Sequence, residues 1–416
     1  MSAVPGALTS YRPVLRPRVL LSDPLLDGAA TVHLIKDAES GNSFKVGPKE
    51  HFLIARMDGE RSLGEIGEEY AGAYGRRLGD AHWQRLLALL GAKGLLAGAP
   101  ARTAAPGAPA RTAAPGAPAR TAAPGPRAPG GPARTTAPGV PAMTDATGVP
   151  AAVPVPVPEK RTLLRGSLPL VADADATTAR LHRAFGFLLA PRLLVPLLVL
   201  VLAMEAVVVA RSGELLLAVR ELLTNPVLLT GTAILLWVST ALHELAHGVV
   251  ARHYGGRVAE IGLRWRLPAV IMYCTVDDYL YLGTRRHRIA TALAGAVMNL
   301  VFLLPFCALW LFAPLDDATH DAFAALLLLG SVQAFAMLVP LPPLDGYRIA
   351  GQLAGATGLA ASAGVYLRLA LRRSPEAAAY PRRARIAYPA YAAVTVLVLA
   401  GTVAAVVAAT HHLLTA

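Results

Sequence analysis

The sequence predicts a multi-pass α-helical membrane protein with about five to six spans and a small N-terminal α+β domain of winged-helix-like type. Three observations support this fold class. Hydrophobic residues make up 54% of the chain and charged residues 16%, whereas soluble domains carry about 25% charged residues. Several apolar runs after residue 185 approach the ~20 residues that a bilayer requires. The first 97 residues instead carry the patterns of short strands and helices.

Changes in composition divide the chain into four regions. We expect a folded domain at 1–97, a Pro/Ala/Gly-rich linker at 98–158, a juxtamembrane segment at 159–184 and a transmembrane domain at 185–416. Within the linker, "APARTAAPG" recurs with a period of nine and places Arg102, Arg111 and Arg120 in register. Such repeats cannot bury a core, so the linker is predicted to be an extended spacer.

The N-terminal domain is predicted to contain short strands followed by three helices. "ATVHLIKD" and "SFKVG" are typical of strands and flank the turn "AESGN". "GPKEHFLIARMDG" favours a helix that ends at Gly59. Ser62, followed three residues later by Glu65, is the pattern of a capping box at the start of a second helix. Asp80 is a suitable N-cap for the third helix, which carries Trp83 and several leucines at helical spacing.

Five apolar segments are predicted to span the bilayer. They are "LLAPRLLVPLLVLVLAMEAVVVA", "NPVLLTGTAILLWVSTALHELAHGVV", "RIATALAGAVMNLVFLLPFCALWLFA", "AFAALLLLGSVQAFAMLVPLPPLDG" and "AYPAYAAVTVLVLAGTVAAVVAA". Pro340, Pro342 and Pro343 break the fourth. A weaker sixth candidate at 354–371 is expected to be interfacial or partly inserted.

The distribution of charge favours a membrane over a nucleic-acid partner. The chain carries a net charge of +12, yet residues 1–97 hold 12 Lys and Arg against 11 Asp and Glu, so that 12 − 11 = +1. Seven arginines lie in 252–288 and seven in 348–385, whereas "PLDDATHD", between the third and fourth spans, has none. By the positive-inside rule, we expect a cell-membrane protein whose N-terminal domain and arginine-rich loops face the cytoplasm. No nucleic-acid partner is expected.

No secretory or disulfide-stabilised architecture is indicated. The run "VLLSDPLL" near the N-terminus is too short for a signal peptide and is interrupted by Asp23 and Pro24. The two cysteines, Cys274 and Cys307, cannot form a disulfide framework and are interpreted as small packing residues.

A metal-binding pattern lies inside the second predicted span. His243 and His247 are four residues apart, so on a helix their side chains lie about 40° apart on one face. The intervening Glu244 completes H-E-x-x-H, in which the histidines bind zinc and the carboxylate acts as general base. Because a charged residue at a helix centre costs roughly 2.5–3.5 kcal/mol in a membrane, a chance match is disfavoured.

A catalytic zinc usually has three protein ligands, so a third must come from elsewhere in the chain. Asp345 is the preferred candidate, since the prolines before it break the helix and place it at an irregular point of the membrane domain. An ordinary loop aspartate before glycine is the alternative interpretation of that residue. Glu205, Asp277 and Asp278 are the other candidates, although Glu205 is better explained by pairing with a polar group.

Three motifs together resemble the site-2 protease (M50) family of intramembrane zinc metalloproteases over roughly 225–350. "HELAH" is similar to the zinc helix of the family and "PPLDG" to its distal aspartate motif. "AGAVMNL" resembles its Gly-Pro-x-x-Asn motif, with Gly295 and Asn299 matching and Ala296 replacing the proline. The resemblance implies a site-2-protease-like core, a Zn²⁺ cofactor, and an Asn299 that binds substrate backbone or oxyanion. Alternatively, Asn299 is a packing residue that hydrogen-bonds across the bundle.

The resemblance also implies a β-hairpin within 257–286 that holds substrate as an added strand. "VAEIGLRW" and "AVIMYCTVDDYLYL" are compatible with it, being rich in strand-forming residues. "HFLIARMDGERSLGEI" in the N-terminal domain is similar to the PqqD-like domains that recognise leader peptides in ribosomal-peptide biosynthesis. "VDDYLYLGTRRHRIATALAGAVMNL" resembles peptide zinc metalloproteases that join such a domain to an H-E-x-x-H membrane domain.

These resemblances favour an intramembrane zinc metalloendopeptidase that matures or processes a ribosomally made peptide precursor, with Glu244 and Asn299 as catalytic residues and His243, His247 and Asp345 as metal ligands. One alternative is a regulated protease that cleaves a membrane-bound regulator. Another is a non-catalytic export or immunity protein, which the intact Glu244 disfavours. A membrane-tethered transcription factor is disfavoured by the near-neutral charge of 1–97, since DNA binding requires phosphate neutralisation.

Overall fold

The computed structural model describes residues 8–97, 164–266 and 269–415, most of them in helices. These residues divide into two units. The first contains 8–21 and 34–97, and the second contains Ser22–His33 together with the residues from 164 onward. The linker predicted at 98–158 lies outside the described residues.

The N-terminal residues form the predicted α+β arrangement of strands followed by three helices. The elements are β1 (Val19–Leu21), β2 (Leu25–Asp27), β3 (Ala30–Asp37), β4 (Ser43–Val46), α1 (Pro48–Ile54), α2 (Leu63–Tyr74) and α3 (Asp80–Ala92). Strand β3 pairs antiparallel with β1 at one end and with β2 at the other, and β4 also pairs with it. The strands β3 and β4 agree with the sequence prediction, whereas β1 and β2 were not predicted, because Asp23 and Pro24 interrupt their alternation.

The core of the first unit is formed where the three helices pack on β3 and β4. Its members include Ile35, Phe44, Leu53, Ile66 and Trp83, all buried. The capping box at the start of α2 is confirmed, since Ser62 Oγ accepts from Glu65 N and the Glu65 carboxylate accepts from Ser62 N. The expected end of α1 at Gly59 is wrong: the helix ends at Ile54 because the next backbone groups bond outside it, with Leu15 N donating to Met57 O and Gly59 N to Pro13 O.

The second unit is a helical bundle with a small three-stranded sheet. Its further elements are β5 (Arg165–Pro169), α4 (Ala174–Phe185), α5 (Pro191–Ala210), α6 (Ser212–Leu222), α7 (Pro226–His253), β6 (Arg257–Arg266), β7 (Ala269–Asp277), α8 (Arg285–Phe312), α9 (Asp317–Ala336), α10 (Asp345–Ala354), α11 (Leu359–Leu371) and α12 (Arg382–Thr415). The sheet order is β5-β6-β7, with both pairs antiparallel. The hairpin expected within 257–286 is therefore present as β6 and β7.

Among the described residues, five helices are long and apolar enough to cross a bilayer, namely α5, α7, α8, α9 and α12. Their outward faces carry large apolar side chains, such as Leu202, Val209 and Leu397, each about 70% exposed within the protein alone. Such a surface requires lipid rather than water. The predicted fold class, a multi-pass helical membrane protein with a small α+β N-terminal region, is confirmed.

The interior of the bundle lies between α6, α8 and α9, where Leu303, Leu326 and Leu327 are fully buried. The fourth predicted span is shorter than expected, because α9 ends at Ala336 and the Pro-rich turn that follows leads into the separate helix α10. The weak candidate at 354–371 forms α11, whose 13 residues are too few to span a bilayer. Helix α6 was not predicted, since its polar face hides it from a search for apolar runs.

Candidate metal centre

The two histidines of the zinc motif lie on α7, near its C-terminal end. Their Nε2 atoms are 3.1 Å apart, and each residue is 3% exposed. The i, i+4 spacing places both rings on the same face of the helix, as the sequence predicted. Both imidazoles point into the bundle, toward α8 and α10.

Asp345, the first residue of α10, completes the cluster. Its Oδ2 lies 3.0 Å from Nε2 of His243 and 3.1 Å from Nε2 of His247, and its side chain is buried. Gly346 packs so closely on the preceding turn that a Cβ would overlap the carbonyl of Leu338. Glycine is therefore required at this position by close packing at the break after α9.

The three ligand atoms fit a tetrahedral zinc ion. With Zn–N and Zn–O bonds of about 2.0 Å, neighbouring ligands of a tetrahedral site lie about 3.3 Å apart, close to the separations in this cluster. His247 Nδ1 lies 2.7 Å from the carbonyl oxygen of Thr291. Because a carbonyl only accepts, Nδ1 carries the proton, and Nε2 retains the lone pair that a metal needs. The described residues contain one such cluster of His, Cys, Asp or Glu.

Asn299 is on α8, next to the imidazole of His243, and is 1% exposed. Its amide Nδ2 is 3.2 Å from His243 Nδ1, and its Oδ1 accepts a hydrogen bond from Ser239 Oγ. The residue therefore contacts a metal-ligand candidate directly and joins α8 to α7. Its role toward substrate backbone or oxyanion stays a prediction.

Gly295 explains how α7 and α8 approach each other at the site. A Cβ at this position would lie 2.5 Å from two ring atoms of His243, closer than real side chains come. Glycine is therefore the residue that leaves room for this imidazole. The family resemblance singled out Gly295 in the sequence. The packing against His243 is the physical reason for a glycine at this position.

Glu244 points toward the sheet. Its Oε2 accepts a hydrogen bond of 3.0 Å from the backbone N–H of Cys274 on β7. Farther from the cluster, Trp237 Nε1 on α7 donates to the carbonyl of Val270 on the same strand. Because backbone groups of alternate residues point to the same side of a strand, these contacts show that the edge of β7 opposite β6 faces α7.

Cys274 and Cys307 are buried and form no disulfide. Burial, with a contribution from the charge of Glu244, raises the pKa of the Cys274 thiol to about 12. A thiol protonated at neutral pH is a poor metal ligand, which agrees with the interpretation of Cys274 as a packing residue.

The alternative third ligands lie outside the cluster. Glu205 on α5 accepts a hydrogen bond of 2.8 Å from Ser331 Oγ on α9, so the pairing expected for it is present. Asp277 is the last residue of β7 and Asp278 follows it, and neither is part of the metal-binding group. Sequence reasoning did not identify Arg348, whose guanidinium NH1 lies 3.3 Å from Asp345 Oδ1; its i, i+3 spacing from the aspartate was an available signal.

Residues 231–320 match the model of peptidase family M50. M50 is a family of zinc metalloproteases, and the matched part contains the H-E-x-x-H motif, both cysteines and Asn299. Asp345 lies beyond the matched part, and its place in the site rests on the structure. No curated protein and no solved structure gives a significant match to the chain.

Proposed function

We propose that this chain is an intramembrane zinc metalloendopeptidase. The observation that carries the proposal is the buried cluster of His243, His247 and Asp345, which comes from two helices 98 or more residues apart and sits beside Glu244 within the membrane domain. Buried charges in a membrane persist chiefly where they serve function. The match to family M50 over 231–320 supports the same reaction class.

In the mechanism we propose, the two imidazoles and the carboxylate of Asp345 hold Zn²⁺. When bound, zinc polarises the peptide carbonyl and makes a water molecule acidic enough to lose a proton near neutral pH. Cys274 N–H holds one oxygen of Glu244, Oε2, and thereby orients the carboxylate. The other oxygen, Oε1, takes the proton of the attacking water and passes it to the leaving amine nitrogen.

In the same proposal, Asn299 fixes the tautomer of His243 with its amide reversed from the placed orientation. Turning its amide by half a turn lets Oδ1 accept the proton of His243 Nδ1, while Nδ2 donates to Ser239 Oγ, a hydroxyl that both donates and accepts. His243 Nε2 then carries the free lone pair that zinc requires. Both histidines are in this way held through their Nδ1 atoms.

The substrate is proposed to bind as an extended strand along the α7-facing edge of β7, through backbone groups other than those bonded to Glu244 and Trp237. Main-chain hydrogen bonds to a sheet edge hold a peptide extended and expose its scissile bond. Glu244 is bonded to that edge, so a peptide pairing there would lie beside the general base.

We further propose that the substrate is a ribosomally made precursor, captured by 1–97 acting as a PqqD-like peptide-recognition domain on the cytoplasmic side. The α+β fold of the first unit is compatible with this role. The linker at 98–158 joins it to the transmembrane domain, and a tether raises the effective concentration of captured substrate by an amount that its length sets.

Mass spectrometry of a candidate precursor co-expressed with the full chain tests the function. We expect a cleaved product with the wild type and the intact precursor with Glu244→Gln. Cleavage of a membrane-bound regulator in place of the precursor would instead favour the alternative function of a regulatory protease. Identical peptide masses for wild type and variant, with both kinds of substrate, would reject the peptidase.

A further inference from the structure

The tip of the N-terminal hairpin, Ser22–His33, belongs to the second unit, whereas the rest of its two strands belongs to the first. Within the second unit, Leu26 forms a parallel bridge with Ala356, in the turn between α10 and α11. Leu26 N donates to Gly355 O at 2.7 Å, and Thr357 N donates back to Leu26 O at 2.8 Å. The tip is thus joined to the membrane domain through backbone hydrogen bonds.

Side chains of α11 and α12 hold the turn of the same hairpin. Gly28 N donates to Ser362 Oγ, and Tyr388 Oη donates to Gly28 O at 2.8 Å. Leu26 is buried in an apolar cluster that includes Leu359 and Tyr388. Buried apolar contact combined with paired backbone groups makes this a defined attachment site.

A buried cation connects the tip to the helices around the metal centre. Arg288, on α8, is 5% exposed. Its NH2 donates to Asp23 Oδ2 at 2.5 Å and its Nε to Gln352 Oε1 at 2.8 Å. Its NH1 donates to the carbonyls of Leu280 and Leu282. Asp23 is the carboxylate that neutralises this charge, since the remaining partners are uncharged.

Both helices joined by Arg288 carry parts of the candidate metal centre. Thr291, three residues after Arg288 on α8, provides the carbonyl that accepts from His247. Gln352 lies seven residues after Asp345 on α10, two turns along and on the same face. The position of α10 against α8 therefore sets how far Asp345 stands from the two histidines.

We propose that Asp23, Arg288 and Gln352 are positioning residues for Asp345, so that the tip of the N-terminal hairpin sets the metal affinity of the membrane site. The inference rests on the proposed function for the identity of that site as a metal centre. The side chain of Arg288 is buried, whereas that of Asp23 is 61% exposed. Removing the charge of Asp23 therefore leaves the buried guanidinium without its counter-charge. Arg288 then draws in water or shifts, and α10 loses its fixed distance from α8.

The experiment measures the zinc affinity of the purified full-length protein by competition with a chromophoric chelator. Asp23→Asn keeps the size of the side chain and removes its charge, and we expect zinc affinity about 10-fold lower, at the small end of the range for groups that orient metal ligands. Glu214→Gln is the matched control, because it breaks the exposed pair of Arg211 and Glu214, and it should leave zinc affinity unchanged. Asp23→Glu should restore most of the loss.

A second readout separates positioning from general destabilisation. In the Co²⁺-substituted protein, Asp23→Asn should change the d–d absorption bands, which report ligand geometry, even where thermal unfolding is unchanged. Should that variant fail to fold, Ser362→Ala removes one bond to the tip and should lower zinc affinity in the same direction. Wild-type zinc affinity and cobalt spectra in both variants would overturn the proposal, and so would a wild type that binds no zinc. Zinc binding without peptide cleavage would instead reject only the proposed peptidase.

Discussion

At the scale of single residues, the site consists of polar groups placed in an apolar helix, and each has a partner in the fold. His243 and His247 meet Asp345, and Glu244 meets the N–H of Cys274. A charged group at the centre of a span costs roughly 2.5–3.5 kcal/mol, and these partners offset part of that cost. The proposed mechanism assigns metal binding and proton transfer to different residues, so the two roles can be tested by different substitutions.

Glu244→Gln should slow peptide cleavage strongly and leave zinc bound, because the amide cannot take a proton while the three ligand atoms are untouched. A positioned general base contributes typically ~10²–10⁴-fold to rate, so a loss of that size is expected. Product mass spectrometry gives the rate and elemental analysis gives the zinc content. Retained activity would remove the general-base assignment.

Asp345→Ala should lower the zinc content, because it leaves two protein ligands where a stable catalytic site has three. Asp345→Asn is the matched variant of nearly the same size, and it should bind zinc more weakly than wild type because a neutral amide is a poorer ligand than a carboxylate. Elemental analysis after dialysis against a chelator measures both. Zinc content equal to that of wild type in both would assign the third ligand to another residue.

At the scale of elements, the centre depends on helices that approach closely. α8 meets α7 at Gly295, and α10 begins immediately after a Pro-rich break, at Asp345. The sequence predicted α7 and α8 well, because apolar length is a local property. It did not predict α6 or the strands β1 and β2, whose short or amphipathic patterns gain stability from neighbours far along the chain.

Gly295→Ala should displace the ring of His243, since the new Cβ would lie 2.5 Å from its ring atoms. Overpacking of this kind typically costs about 1–3 kcal/mol, and we expect both a lower unfolding temperature and a lower zinc affinity. Gly364→Ala is the control, because it lies on helix α11 with open space around the position of a Cβ. Equal zinc affinity in the two variants would contradict the close approach of α7 and α8.

At the scale of the whole molecule, the predicted orientation places the arginine-rich loops in the cytoplasm and the C-terminus outside, since five spans separate the two ends of the membrane domain. Alkaline phosphatase, which is active only outside the cytoplasm, should be active when fused after Thr415 and inactive when fused after Tyr254. A fluorescent protein fused at the N-terminus should fluoresce. The opposite pattern of activities would show that the membrane domain has the opposite orientation.

The sequence by itself determined that the chain has the apolar helices of a membrane protein and which of them carries the H-E-x-x-H pattern. Each of these depends on composition or on spacing within a few residues. Only the tertiary structure decided that Asp345 is the carboxylate beside the histidines, that Cys274 N–H holds Glu244, and that Asp23 neutralises Arg288. These contacts join residues 102, 30 and 265 positions apart. No local pattern encodes such pairings, because they exist only once the helices have packed.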